Sequence, residues 1–166
     1  MDASLGFTIV ELLIVIVIIG ILAAIVIVAY NGITNSAIQN TVKSDLASVN
    51  KKLLLYRQTS ASGQLPVNAT QLDAADFKVT QSNYLSNRNN IYFCTSNDGM
   101  HYAMGIFAKN STEYYSLDGV VTAVASGSVN GANTCAQMTN AGYASPASAY
   151  AGYDSTGGTG WAAWTQ

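Results

Sequence analysis

A long uncharged apolar run near the start of the chain constrains the fold more than any other feature of the sequence. Residues 12–29 contain no charged side chain. As an α-helix with a rise of ~1.5 Å per residue, this segment covers about 27 Å, close to the thickness of the hydrocarbon core of a bilayer. Because only a membrane or a tightly packed bundle of helices accommodates such a surface, the run predicts a transmembrane helix.

One ionisable residue lies at the start of this run. Glu11 stands immediately before its first position and four residues after Phe7. A carboxylate in a low-dielectric environment is costly unless an opposite charge or hydrogen-bond donors accompany it. The sequence therefore predicts that Glu11 has a specific partner.

A short motif surrounds this glutamate. Gly6, Phe7 and Thr8 are followed, after two residues, by Glu11, two leucines and the apolar run. This pattern resembles the class III signal of type IV pilins and the related pseudopilins, and the resemblance covers about the first thirty residues. It implies that a membrane-embedded prepilin peptidase cleaves the chain between Gly6 and Phe7 and then N-methylates Phe7.

The resemblance also implies an assembly site formed by Phe7 and Glu11. In the family, the carboxylate pairs with the N-terminal amine of a neighbouring subunit, and two such charges offset part of each other's desolvation cost. The amine of the same chain, one helical turn away, is an alternative partner. An ordinary signal anchor that happens to carry a glutamate is the alternative to the whole resemblance.

The leader, residues 1–6, departs from the usual pattern of the family. It contains no lysine or arginine, and the nearest basic residue is Lys43. The positive-inside rule therefore gives no orientation for the helix. A start codon further upstream, with a longer basic leader, would account for this, and so would an atypical leader.

The length of 166 residues suits one membrane segment followed by one modest globular domain. We expect a leader (1–6), a transmembrane and assembly half of the helix (7–30), an amphipathic half (31–58) and a globular head (59–166). The net charge of −2, with 10% charged residues, argues against a strongly basic surface for nucleic acid or anionic lipid.

The amphipathic half of the helix has apolar residues at intervals of three to five positions, which is a helical period. They are Ile33, Ile38, Val42, Leu46, Val49, Leu53 and Tyr56. The polar face is predicted to hold Asn40, Lys43, Asp45, Asn50, Lys51 and Arg57. The apolar stripe needs a cover, and a sheet packed on it is the simplest one.

The head is predicted to contain a loop (59–89), a sheet (90–124) and a C-terminal tail (125–166). A short helical turn is expected at 72–77. Aromatic and β-branched runs between turn residues predict three or four antiparallel strands, and the Gly, Ser, Ala and Asn of the tail predict loop structure. The fold class is α+β, and the resemblance implies the type IV pilin fold, in which the long helix packs on the sheet.

Cys94 and Cys135 are the only cysteines. A pair in an exported domain is most simply a disulfide, and the family often has such a bridge near its C-terminus. Two unpaired buried thiols are the alternative. Without a CxxC spacing, the pair does not predict a zinc site.

No catalytic group is predicted. His101, the only histidine, is expected in a strand as a satisfied or exposed side chain rather than as a metal ligand or base. Asp98, Asp118 and Asp154 are the candidate calcium ligands, and we do not predict that they bind the ion. The chain is accordingly expected to be no enzyme and to have no cofactor and no metal.

The resemblance implies that the chain is a structural subunit of a type IV pilus filament, which polymerises through its N-terminal helix for adhesion, surface motility or DNA uptake. The implied partners are further copies in a helical filament, the prepilin peptidase, an inner-membrane assembly platform and the lipid bilayer. Surface or DNA contacts through the head are also expected, but no small-molecule substrate.

The precursor is expected to be a single-pass protein of the bacterial inner membrane. The assembled filament is expected outside the cell, on the cell surface. A pseudopilin of a type II secretion or competence system is the alternative function. A membrane-anchored binding module that never polymerises is a third.

Overall fold

The computed structural model describes residues 7–76, 78–84, 90–144 and 150–152. Their contacts divide the chain into two compact units, which meet in sequence between Ala37 and Ile38. A long N-terminal helix and an antiparallel sheet are its main elements. The α+β layout predicted from the sequence is therefore confirmed.

One helix, α1, spans Ile9–Thr59 without a break. No proline interrupts its 51 residues, and both of its glycines, Gly20 and Gly32, have open space around the position of a side chain. The helix predicted over 7–58 is confirmed, with its ends shifted by one or two residues. In the first unit, the large apolar side chains of residues 9–28 are 47–85% exposed. The described chain thus leaves this surface uncovered.

In the second unit, α1 buries an apolar stripe. Residues three and four positions apart share one face of a helix, which explains the choice of positions. The stripe is part of the hydrophobic core of this unit. Ile38 and Tyr56 are partly buried and pack against that core. Ile33, predicted as part of the stripe, is 69% exposed and lies in the first unit, so that part of the prediction is wrong. The fully buried members are Val42, Leu46, Val49 and Leu53.

Asp45 was predicted on the polar face of the helix, and that prediction is wrong. The residue is 8% exposed. It stands three positions after Val42 and four before Val49, which places it at the border of the apolar face. Its carboxylate accepts hydrogen bonds from the N–H of Thr80 and the hydroxyl of Tyr84.

Four antiparallel strands form a meander. They are β1 (Ile91–Thr95), β2 (Tyr102–Phe107), β3 (Glu113–Leu117) and β4 (Val120–Val124). Short connections explain their order, because strands joined by tight turns pair as neighbours. Asp118 and Gly119 connect β3 to β4 with φ angles of 48° and 89°, the positive values that this two-residue turn requires.

Side chains that alternate along the strands give the sheet two covered faces. Ile91 and Phe93 of β1, with Met104 and Ile106 of β2, belong to the same core as the buried stripe of α1. The intervening residues point to the opposite face. On that face a second helix, α3 (Gly131–Asn140), packs against β1 and β2.

The prediction of a loop over 125–166 is wrong for two segments of this tail. Residues Gly131–Asn140 form α3, and Tyr150–Gly152 form a short strand, β5, which pairs with β1 at one edge of the sheet. The sequence of α3 does not predict a helix, because it contains poor helix formers such as Gly, Asn and Thr. Asn130 caps it by accepting a hydrogen bond from the N–H of Asn133, and its inner face is buried. Residues 153–166 lie outside the described residues.

The segment predicted as a loop over 59–89 contains one short helix, α2 (Ala69–Ala74), and a 3₁₀ turn at Gln81–Asn83. The helical turn expected at 72–77 thus begins three residues earlier, because Asn68 caps the helix by accepting a hydrogen bond from the N–H of Gln71. The segment contributes five buried side chains to the core. They are Leu65, Leu72, Ala75, Val79 and Tyr84.

Candidate functional site

The N-terminal end of α1 is formed by a reciprocal pair of residues, Thr8 and Glu11. The backbone N–H of Thr8 donates to Oε2 of Glu11 at 2.8 Å, and the Thr8 hydroxyl donates to the same oxygen at 2.7 Å. The backbone N–H of Glu11 donates in return to Oγ1 of Thr8 at 3.2 Å. This arrangement is a capping box, in which the two side chains satisfy backbone donors that the helix leaves unpaired.

The position of Glu11 in the first turn of α1 also places its negative charge where the helix dipole favours it. Glu11 therefore has a partner within the uncleaved chain, and that partner is Thr8 rather than an amine. Sequence reasoning predicted the need for a partner but missed Thr8 in this role. The signal was the spacing of a threonine and a glutamate three residues apart before an apolar run.

Phe7, which the sequence analysis places at the cleavage site, precedes α1 and is 76% exposed. Gly6 lies outside the described residues. Cleavage and methylation here remain predictions.

Within the described ranges, α1 is the one helix long and apolar enough to cross a membrane by length and composition. Its most apolar window of 18 residues has a mean hydropathy of 3.6, and none of that window is buried. A signal sequence near an N-terminus has the same properties. The described chain leaves this apolar surface uncovered.

The outer face of the head is held together by a covalent bond and a close contact. Cys94 of β1 and Cys135 of α3 form a disulfide with their Cα atoms 5.4 Å apart, which is the pairing expected from the sequence. Beside this bridge, a side chain at Gly105 would collide with the hydroxyl of Thr134 and crowd Val129. The glycine therefore lets α3 approach the sheet closely.

A buried carboxylate fixes the segment that leads into α3. Glu113 of β3 has no exposed surface, and its two oxygens accept hydrogen bonds from the N–H groups of Gly127 at 2.5 Å and Val129 at 2.6 Å. The hydroxyl of Tyr115 donates to the carbonyl of Ser128 at 2.5 Å. These bonds tie residues 127–129 to the sheet. Sequence reasoning did not single out Glu113, because only the fold brings its backbone donors to it.

His101 is partnered, as predicted, but it stands immediately before β2 and not within a strand, so that part of the prediction is wrong. Its Nδ1 lies 2.8 Å from Oδ2 of Asp118, and its ring stacks on Tyr143 with 3.7 Å between ring centroids. The other oxygen of Asp118 accepts the N–H of Tyr102 at 2.9 Å. The histidine thus connects the β3–β4 turn to the residues that follow α3.

The three aspartates considered as calcium ligands do not form a described cluster. Asp98 accepts hydrogen bonds from the Ser96 hydroxyl at 2.5 Å and the Met100 N–H at 3.0 Å, which lower the pKa of Asp98. Asp118 is engaged as above, and Asp154 lies outside the described residues. In the part of the chain that the structure describes, no group of three or more His, Cys, Asp or Glu residues is placed to hold a metal ion.

An open cleft of about 240 Å³ lies beside the C-terminal end of α1. Arg57 borders it and donates from Nη1 to the carbonyl of Met100 at 3.3 Å. The lining carries charges of both signs, since Asp118 borders the same cleft. Such a lining does not select a ligand of one charge.

Comparison with known families gives one match. Residues 1–27 match the family described as "Prokaryotic N-terminal methylation motif". This motif is the class III signal of type IV pilins and pseudopilins, and it describes a processing and assembly signal rather than a catalytic domain. Neither the curated proteins nor the solved structures compared with the chain show a match.

Proposed function

Because the chain carries the prokaryotic N-terminal methylation motif, we propose that it is a structural subunit of a type IV pilus filament. The motif supports a pilin-like or pseudopilin protein. The subunit polymerises through the apolar part of α1, and the filament serves adhesion, surface motility or DNA uptake. Its head, residues 59–166, carries whatever surface or DNA contacts the filament makes.

The observation that carries this proposal is the continuity of the motif with an uncovered apolar helix. Residues 1–27 match the motif, and the large apolar side chains of residues 9–28 are at least 47% exposed within their own chain. A surface of this kind is stable only against lipid or against other helices. Lipid covers this surface while the subunit is stored in a bilayer, and helices of other subunits cover it after assembly into a helical bundle.

The proposal implies a sequence of locations and partners. The precursor is held in the bacterial inner membrane by α1, where the prepilin peptidase cleaves between Gly6 and Phe7 and methylates the new amine of Phe7. An assembly platform in the same membrane then adds the subunit to the filament, which leaves the cell. Within the filament, the Phe7 amine pairs with Glu11 of a neighbouring subunit.

The first test is the N-terminus of the filament protein. Filaments sheared from cells that produce the chain are analysed by mass spectrometry. We expect peptides that begin at an N-methylated Phe7. Peptides that retain Met1 or Asp2 in assembled filaments would overturn the processing step.

The second test is assembly of Glu11→Val, expressed as the only copy of the gene. Glu11 lies in the first turn of α1, in the unit that does not contain the head, so the substitution should leave the head folded while filaments are lost. Ile16→Val, which preserves the apolar surface, is the matched control and should assemble normally. Normal filament yield from cleaved Glu11→Val would overturn the role of Glu11 in assembly. A wild-type chain that is produced but yields no filaments would favour a membrane-anchored binding module instead.

A pseudopilin of a type II secretion or competence system carries the same motif and is the alternative. A pilus and a pseudopilus differ in the length of the polymer and in whether the cell retracts it. Long filaments in the sheared fraction, together with a neighbouring gene for a retraction ATPase, support the pilus. A short polymer that stays with the envelope, beside genes for a secretin and a secretion ATPase, supports the pseudopilus.

A further inference from the structure

We propose that the C-terminal segment of this chain, residues 153–166, docks its two tryptophans on the face of the sheet that carries α3, in a groove beside β4. The segment itself lies outside the described residues. The groove, called the outer groove from here on, is formed by side chains of β3, β4 and α3. They are Tyr115, Leu117, Val120, Thr122, Val124 and Gln137.

The strand register brings the side chains of the outer groove together. Tyr115 of β3 pairs with Thr122 of β4 on one side and with Gly105 of β2 on the other. Gly105 is the position that lets α3 approach the sheet, so Tyr115 and Thr122 lie on the face that carries α3. Leu117 and Val120 pair with each other two positions further along the same strands, and they therefore share this face.

The helix α3 leaves the outer groove open. It packs against β1, β2 and β3, while Val120 of β4 is 70% exposed and Thr122 is exposed as well. Two adjoining clefts of about 410 and 370 Å³ lie there, and Tyr115, Val124 and Gln137 line both of them. An apolar surface of this kind is more stable when an apolar side chain covers it.

The lining of the outer groove suits a large uncharged side chain. Among the described residues that line the two clefts, Asp118 is the one charged side chain, and its carboxylate already contacts His101 and the N–H of Tyr102. The strand β4 contributes three valines, a threonine and an alanine. Gln137 lines both clefts, and its amide oxygen can accept the N–H of an indole ring.

The same chain supplies side chains that fit this lining. Trp161 and Trp164 are the only tryptophans of the protein, and both belong to the segment that follows β5. Residues 153–166 contain a single charged side chain, Asp154. A tryptophan combines a large apolar ring with one polar donor. Two such rings match two adjoining clefts that are almost without charge.

The segment is long enough to reach the outer groove. Gly152, the last residue of β5, lies in the same row of paired residues across the sheet as Ala123 of β4. The strands β5 and β4 are the two edges of the sheet, which are about 19 Å apart at ~4.8 Å per strand. Trp161 follows Gly152 by nine positions. Nine extended residues span up to about 30 Å, which leaves enough chain to pass around α3.

Tryptophan fluorescence tests the docking directly, because both reporters lie in the segment. The full chain is reconstituted in lipid nanodiscs with one copy in each disc. We expect emission at a shorter wavelength than that of the chain unfolded in urea, and weaker quenching by acrylamide. The single-tryptophan chains Trp161→Phe and Trp164→Phe should both behave in this way. Emission at the unfolded wavelength from either remaining ring would overturn the inference.

Substitutions in β4 test where the rings lie. Thr122→Lys introduces a charge into the outer groove, and the matched control Ala123→Lys introduces the same charge on the opposite face of the same strand. Both positions are exposed. We expect Thr122→Lys to shift the emission to the unfolded wavelength and to lose the protection against acrylamide. Ala123→Lys should behave as wild type.

Val120→Lys repeats this test at a second exposed position of the outer groove, and it decides the outcome if Thr122→Lys does not fold. Wild-type emission from the folded groove variants would show that the rings are not in the groove. An equal shift in Ala123→Lys would also count against the groove, because that substitution lies on the other face of the sheet.

The nanodiscs distinguish the outer groove from other environments that protect an indole ring. Brominated lipids quench tryptophans that contact acyl chains, so strong quenching in discs of such lipids would place the rings in the bilayer. Protection that appears only in discs with two or more copies would place the rings on a neighbouring chain. Either result would overturn docking within the chain. None of these measurements depends on filaments, so the docking and the proposed function fail independently.

Discussion

The hydroxyl of Tyr84 donates a hydrogen bond to the carboxylate of Asp45 at 3.0 Å inside the second unit, where it joins the head to α1. The same carboxylate accepts the backbone N–H of Thr80 at 2.9 Å and its hydroxyl at 3.2 Å. Three donors from one segment thus meet a single side chain of α1. A charge that is 8% exposed is stable here because all these donors face it.

Removing the carboxylate should destabilise the head strongly. Asp45→Ala removes the acceptor of the Tyr84 hydroxyl and of the partly buried N–H of Thr80, which costs about 2–4 kcal/mol in the free energy of unfolding. Thermal unfolding of the full chain in detergent, followed by the tyrosine circular dichroism, measures the effect. Ser48→Ala, at an exposed position of the same helix, is the control and should change stability little. Equal melting temperatures for the two variants would contradict this role of Asp45.

Buried tyrosines should make the head sensitive to alkali. Burial, and secondarily Asp45, raise the pKa of Tyr84 above its usual range, and burial raises the pKa of Tyr102 to about 12. Unfolded tyrosines ionise near pH 10, so the full stabilisation is present below that pH and is lost as the pH rises through the folded pKa. Each of these tyrosines should lower the free energy of unfolding by about 1.4 kcal/mol per pH unit above pH 10.

For Tyr102, this loss ends near pH 12 and amounts to about 3 kcal/mol. Denaturant unfolding at pH 8 and pH 11 tests the effect with Tyr84→Phe. The variant is less stable at pH 8, because its hydrogen bond to Asp45 is missing, but it should lose less stability than wild type between the two values. The same loss in both proteins would show that Tyr84 does not contribute.

A side chain at Gly105 should push α3 away from the sheet. The methyl group of Gly105→Ala would collide with the hydroxyl of Thr134 and press on Val129 and Tyr115, so we expect a loss of about 1–3 kcal/mol. Thr134→Ala removes the oxygen nearest to the new methyl group. The double variant should therefore be more stable than the sum of the two single losses predicts. Strict additivity would argue against the contact.

The disulfide should supply a large share of the stability of the head. Cys94 and Cys135 are 41 residues apart, and a bridge over that distance stabilises by about 4 kcal/mol in the chain-entropy model. We expect Cys94→Ser with Cys135→Ser to lower the melting temperature. Reductant should affect the native wild-type protein only slowly, since both cysteines are at most 5% exposed. Rapid labelling of both thiols in the native protein without reductant would contradict the bridge.

The neighbourhood of each predicted residue explains why some predictions hold and others fail. The strands β1 to β4 follow from local signals, because aromatic and β-branched runs alternate with turn residues such as Asp118 and Gly119. The helix α3 was missed because its residues favour a helix weakly. Its stability comes from the bond between Cys135 and Cys94 and from the close approach at Gly105, both of which lie far away in the sequence.

The sequence by itself determined the long helix, its apolar first half and the signal at its start. Composition and spacing within a few residues decide these features, since a run without charges requires an apolar environment whatever the rest of the chain does. The capping box of Thr8 and Glu11 is also determined locally, because it depends only on a threonine and a glutamate three residues apart. The sequence analysis did not identify it.

Only the tertiary structure decided which polar groups of the second unit are buried. Asp45 and Glu113 have the same charge as exposed carboxylates, and their own neighbours in sequence do not reveal their environment. Their partners are 14 to 39 residues away, at Gly127 for Glu113 and at Tyr84 for Asp45. A buried charge is stable only where the fold supplies its donors, so its position depends on contacts that no local pattern contains.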